Sequence, residues 1–209
     1  GVTPEVGFNL AVPTFFALTV AHVFAVGRQL ATRSETGRSV GRQGVLGGLA
    51  AVLVVALLGN LSGLIQGIEL LARAGGATFA GDAITLDELG RVLPGLMNVL
   101  RGQASLGAFD YWYRGTRIIP YTINEFPFFS FLFADLHPHM IGIPFTVLAV
   151  GLLLALLCDR RDGVLADALR WAALTVTVGA LGVINTWDLP TALGLLGVAM
   201  LYRGFRRGR

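Results

Sequence analysis

Two carboxylates and two imidazoles stand among aromatics in the stretch Asn124-Glu125-Phe126-Pro127-Phe128-Phe129-Ser130-Phe131-Leu132-Phe133-Ala134-Asp135-Leu136-His137-Pro138-His139-Met140. The stretch leads into an apolar run that begins near Met140. Ionisable groups at the mouth of a membrane helix are costly, so they usually serve a function. Asp135, His137 and His139 alternate, and alternate residues of an extended segment face one side, where three ligands can converge on one ion. Carboxylate plus imidazole suits zinc, manganese or iron with room left for substrate, so a divalent metal ion is the cofactor this spacing admits. The same residues could instead recognise a phosphate, with Asp135 as acid or base. A third reading is structural: a hydrogen-bonded knot in which Asp135 caps a helix that Pro138 opens.

Glu125 lies beside Phe126, Pro127, Phe128 and Phe129, and an apolar setting raises a carboxylic acid into the range useful for proton transfer. The bland alternative is an exposed acid at the start of a hairpin. Asn185-Thr186-Trp187-Asp188-Leu189-Pro190 places a further carboxylate between two apolar runs, and a tight turn also explains these residue types. Upstream, Asp110-Tyr111-Trp112-Tyr113-Arg114, Arg117 and Tyr121 mix aromatics with cations. An aromatic belt at headgroup level accounts for that mixture without any chemistry.

These residues are positioned by membrane helices. The chain is 54% hydrophobic and 14% charged, with a mean hydropathy of +0.68, unlike an ordinary soluble domain. Spans are expected at residues 6–27, 43–68, 139–158 and 169–187, because roughly 20 apolar residues cross a bilayer. A fifth, marginal span is expected at 189–203, with Arg203, Arg206 and Arg207 reaching the interface. The fold class is therefore an all-α polytopic bundle of about five spans, in a single membrane domain over residues 1–209. One large external loop covers about 69–138.

Arginines fix the orientation. Arg28, Arg33, Arg38 and Arg42 follow the first span, Arg160 and Arg161 the third, and Arg203, Arg206, Arg207 and Arg209 the fifth. The positive-inside rule makes those segments cytoplasmic in a plasma-membrane protein, with the N-terminus, the 69–138 segment and the Asp188 turn outside. Short juxtamembrane clusters are not a nucleic-acid-binding face. No signal-peptide pattern precedes the first span, and the expectation is a piece of a longer polytopic chain.

Within the external segment, Thr85-Leu86-Asp87-Glu88 reads as a capping box ahead of an amphipathic helix. Residues 70–82 read as a loose connection. Gly59 and Gly63 form a small-xxx-small pair for close helix approach. His22 is expected to pack against another helix. Phosphate-loop, dinucleotide, zincin and serine-hydrolase signatures are absent from the sequence. The one cysteine, Cys158, excludes an internal disulfide.

The Glu125–Met140 and Asn185–Thr191 motifs, in that order, resemble those of the uncharacterised YYY family of multispanning membrane proteins of bacteria and archaea, over the whole chain. That family looks like a distant relative of the GT-C glycosyltransferases. The resemblance implies sugar transfer from a lipid-phosphate donor on the external face, with Glu125, Asp135 or Asp188 as the acid. Whether the catalytic base lies upstream of Gly1 stays open. In the expected mechanism a carboxylate deprotonates the acceptor, while Arg114, Arg117, His137 and His139 neutralise the departing phosphate. Trp187 or Tyr121 would stack on sugar, and Asn185 would bind substrate. Membrane lipid and a lipid-phosphate sugar donor are the implied partners. The alternative is a non-enzymatic transporter or scaffold subunit, for which polar breaks near the midplane would be the sign.

Overall fold

The computed structural model of the chain describes residues 1–32, 40–79, 84–110, 113–158 and 163–207. Arg33, Arg38, Arg160, Arg161, Arg209, Tyr111 and Trp112 lie outside the described residues, as do the side chains of Arg206 and Arg207. The chain divides into two units: Gly1–Leu57 with Pro127–Arg209, and Leu58–Phe126. Among the described residues all regular structure is helical.

The first unit holds α1 (Pro4–Ala31), α2 (Val40–Ala51), α7 (Pro127–Phe133), α8 (Pro138–Leu157), α9 (Val164–Ile184) and α10 (Asp188–Arg207). Among the described residues, four helices are long and apolar enough to cross a membrane: Pro4–Ala31, Gly41–Leu58, Pro138–Leu157 and Val164–Ile184. The helical membrane bundle expected from composition is what forms. The expected fifth span does form a helix, α10, but α10 is not among those four. Its start at Asp188 and its arginine-bearing end leave too short an apolar stretch.

Lipid is as apolar as leucine, so membrane helices associate through close packing and not through hydrophobic exclusion. The antiparallel α1–α2 pair shows the means. A Cβ on Gly27 would stand 2.5 Å from the Ala51 Cβ, and one on Gly48 would stand 2.5 Å from the Phe24 ring. A Cβ on Gly47 would overlap Ala31. Glycines at those three positions let the helices touch. In α8–α10 the stripe Ala149, Leu153, Leu156 meets Leu174, Val178, Leu181 and then Ala192 and Ala199, the helical i, i+4, i+7 spacing. α1 lies along α8: the His22 Nδ1–H donates to the Pro144 carbonyl at 2.9 Å. His22 thus packs against another helix, as its sequence context led one to expect.

Residues 43–68 do not form one span. α2 widens into a π-helix, Val52–Leu58, and ends at Gly59, whose φ is +61°. The Asn60 side chain then accepts from the Ser62 N–H at 3.0 Å, starting the next helix. Gly59 and Gly63 therefore share no helix face, and the small-xxx-small expectation fails there.

The second unit holds α3 (Ser62–Ala74), α4 (Leu86–Gly90), α5 (Val92–Leu100) and α6 (Tyr113–Thr116). The capping box is present: the Glu88 N–H donates to Thr85 Oγ1 at 3.3 Å, and the Thr85 N–H donates to Glu88 Oε2 at 2.7 Å. Residues 70–74, expected to be loose, are helical. They pack on α5, where Gly75 and Gly95 admit the Arg91 and Leu71 carbonyls.

Candidate functional site

Aromatic packing delivers the chain to the mouth of α8. Phe131 of α7 meets Phe16 of α1 edge-on with ring centroids 5.2 Å apart, and Phe129, Ser130 and Phe131 are buried. Ala134, at φ 59, ends α7 in a left-handed residue. Residues 135–137 are not helical, and Pro138 opens α8 at its first position.

This geometry pairs Asp135 with His137. The His137 Nδ1–H donates to Asp135 Oδ2 at 2.8 Å. An ionised carboxylate can only accept, so Nδ1 carries the hydrogen and Nε2 is the acceptor nitrogen of the neutral ring. The side chains are 56% (His137) and 47% (Asp135) exposed, so a substrate can reach them. An imidazole oriented through Nδ1 by a carboxylate is the arrangement of a general base.

His139 lies within α8, its ring centroid 5.4 Å from that of His137. The extended alternation that would have aimed Asp135, His137 and His139 at one ion stops where α8 begins. Among the described residues no group of three or more His, Cys, Asp or Glu is placed to hold a metal, so the expected metal site at these residues is not formed. His137, not Asp135, is the N-cap of α8, and it makes no side-chain cap bond.

Asp188 comes to the same end of α8. Its N–H donates to the Asn185 carbonyl at 2.9 Å, closing the turn into α10. A Cβ on Gly142 would stand 2.7 Å from Asp188 Oδ2 and 3.9 Å from the Asn185 Cβ. The bare backbone of Gly142, one turn into α8, is what admits the carboxylate. Asp188 and Asn185 are half-buried, while Trp187 beside them is 86% exposed. Gly142 escaped the sequence reading because glycine fills 28 of 209 positions and carries no signal alone.

The other candidates belong to the second unit. Arg114 is engaged by Glu69 through two bonds, Nη1 to Oε2 at 2.8 Å and Nη2 to Oε1 at 3.2 Å. The bidentate guanidinium holds the Glu69 carboxyl below the usual carboxylate range, and the same hydrogen bonds raise Arg114. Arg114 is thus committed to an ion pair and not left to meet a phosphate. Glu69 was missed, although it is the lone acid of the amphipathic helix Ser62–Ala74 and that was the available signal. Arg117 donates to Thr116 Oγ1 at 2.9 Å and lies 5.3 Å from the centre of the Tyr113 ring. Glu125 is exposed, because Phe126 turns inward and leaves the acid outside, so the expected apolar pocket is not formed. Tyr121 is fully exposed, at φ 64.

A groove of about 410 Å³ lies between the far end of α8 and α10, lined by Val150, Leu154, Leu157, Leu195, Val198 and Tyr202 among others. It contains none of the acids or imidazoles.

The profile of a family described as "Uncharacterized membrane protein (DUF2298)" matches residues 1–208. No curated protein and no solved structure matches the chain.

Proposed function

The chain belongs to the DUF2298 family of uncharacterized membrane proteins, and we propose that it is a membrane-embedded glycosyltransferase acting on a lipid-phosphate-linked sugar at the extracytoplasmic face. The observation that carries this reading is the exposed Asp135–His137 pair, with its 2.8 Å bond, at the start of a membrane-spanning helix. The reaction class comes from the resemblance of the Glu125–Met140 and Asn185–Thr191 motifs to the YYY family, which in turn looks like a distant relative of the GT-C glycosyltransferases. In the mechanism, Nε2 of His137 takes the acceptor hydroxyl proton while Asp135 holds the ring and stabilises the imidazolium. The acceptor oxygen bonds to the anomeric carbon as the bond to the lipid phosphate breaks. His139 donates to that phosphate, Asp188 and Asn185 orient the sugar hydroxyls, and Trp187 stacks on the sugar. Base duty thus passes from Asp135 to its imidazole partner.

The test pairs two measurements on each variant in proteoliposomes: turnover of lipid-linked sugar and melting temperature. His137→Ala and Asp135→Asn should abolish turnover. Because the pair is exposed and makes no cap bond, stability should fall by less than about 1 kcal/mol. Retained turnover with lowered stability would make the pair structural.

A second reading, a transporter, is favoured by the π-helix Val52–Leu58 at the end of a candidate span. π-Helices are rare and often mark functional sites. Substrate counterflow that survives His137→Ala would support it against the transferase.

A further inference from the structure

The segment 118–123 of the second unit turns its apolar side chains outward. Ile118, Ile119 and Ile123 are 54%, 56% and 60% exposed, and Tyr121 is fully so. Bonds across the segment fix its shape. Asn124 Oδ1 accepts from the Ile119 N–H at 2.9 Å, and the Thr122 hydroxyl donates to the Ile119 carbonyl at 3.0 Å. The Asn124 N–H donates to the Thr116 carbonyl at 2.8 Å and closes the base. Tyr121 keeps a positive φ of 64°, a conformation that a non-glycine residue holds only when its surroundings enforce it. A backbone so determined presents isoleucine and tyrosine to the outside.

Arg117 stands at the base of this loop. Its guanidinium bonds Thr116 and lies over the Tyr113 ring, and among the described residues it has no carboxylate partner. Aliphatic side chains, a tyrosine ring and an arginine are the composition of the bilayer interface, from acyl boundary to phosphate. The bilayer is also always at hand, because a membrane-spanning helix ends at Leu58, where this unit begins.

We propose that the 118–123 loop is an interfacial anchor whose occupant is the lipid bilayer. Ile118, Ile119 and Ile123 enter the acyl boundary, Tyr121 sits at headgroup level, and Arg117 pairs with lipid phosphate. Tyr121 is thereby assigned to lipid and not to sugar. The proposal does not depend on the transferase reading.

The test places a bimane label on Ile119→Cys in the full chain carrying Cys158→Ala, reconstituted in phosphatidylcholine–phosphatidylglycerol vesicles. Spin-labelled lipids with the nitroxide at the headgroup or shallow acyl level should quench the label, and aqueous iodide should not. Quenching by iodide but not by lipid would leave the loop in water and overturn the proposal. Protection from both would mean that protein covers the loop, and would overturn it too. Ile123→Cys repeats the measurement from the other limb, so one poorly folded variant does not decide the matter.

Discussion

Asp135 does two things for His137: it chooses the tautomer and it fixes the ring plane. Both follow from one 2.8 Å bond, and neither requires burial. Asp188 depends on its neighbour differently, because its carboxylate occupies the space where Gly142 has no side chain. Gly142→Ala puts a methyl 2.7 Å from Asp188 Oδ2, and the carboxylate must swing away. A short side chain swings readily, so we expect a stability loss at or below the low end of overpacking, about 1 kcal/mol. Turnover should fall much further than that loss explains. Equal, small effects on melting temperature and turnover would remove Asp188 from the site. The Glu69–Arg114 pair makes a pH-dependent prediction. Its hydrogen bonds to Arg114 hold the Glu69 carboxyl below the ordinary glutamate value, so its stabilisation is fully present above that ordinary value. It is lost as pH falls through the depressed folded value. With Arg114 48% exposed, Glu69→Gln should cost no more than about 1 kcal/mol at neutral pH. Urea titration of wild type and variant at a series of pH values should show the gap closing as the pH falls below the ordinary glutamate range. A gap that persists in acid would deny the ion pair its role.

Helices here are defined as much by how they stop as by how they run. The Thr85–Glu88 box was legible because a cap is a local device: four residues contain both bonds. Thr85→Ala should therefore destabilise the second unit by about 0.5–2 kcal/mol, read from its thermal unfolding, and no loss would mean that the box is idle. The end of α2 was not legible, because a run averaged for hydropathy passes straight through Gly59-Asn60. Those two residues are a turn signal, and in the fold they stop the helix. The Asp135-x-His137-x-His139 spacing misled for a related reason. Its three residues straddle a helix start, and Pro138 converts an alternation into a turn. The α1–α2 contact rests on glycines whose role no single sequence window reveals. Gly47→Val would drive Cβ into Ala31, and backbone must move on one side or the other. We expect a loss at the high end of the 1–3 kcal/mol range for overpacking, or more, measured by thermal unfolding in detergent. A variant as stable as wild type would show that α1 and α2 do not pack as described.

At the scale of the membrane unit, the contacts fix the run of each helix. Along α1 and α8, His22 meets Pro144 and Gln29 meets Cys158, so the two run parallel. α2 returns against α1, with Gly44 at Thr32 and Gly48 at Phe24. Gly182 of α9 meets Leu189 of α10, and Asp188 returns to Gly142 of α8, so α9 and α10 run in opposite directions. The starts of α8 and α10 thus share one end, and the ends of α1 and α10, with Arg28 and Arg203, share the other. That grouping of arginines is the charge asymmetry from which the sequence alone suggested an orientation. Charge bias decides which end the insertion machinery keeps inside, so the arginine end is expected in the cytoplasm and the Asp135–His137 mouth outside. Val164 and Thr186 bracket α9, and both are exposed. With Cys158 replaced by alanine, a membrane-impermeant maleimide applied to intact cells should label Thr186→Cys and spare Val164→Cys. Permeabilised cells should then label both, which shows that Val164→Cys is reactive. The reverse pattern in intact cells would place the His137 imidazole in the cytoplasm. An externally presented lipid-linked donor could not then reach it, and the transferase reading would fall with the orientation.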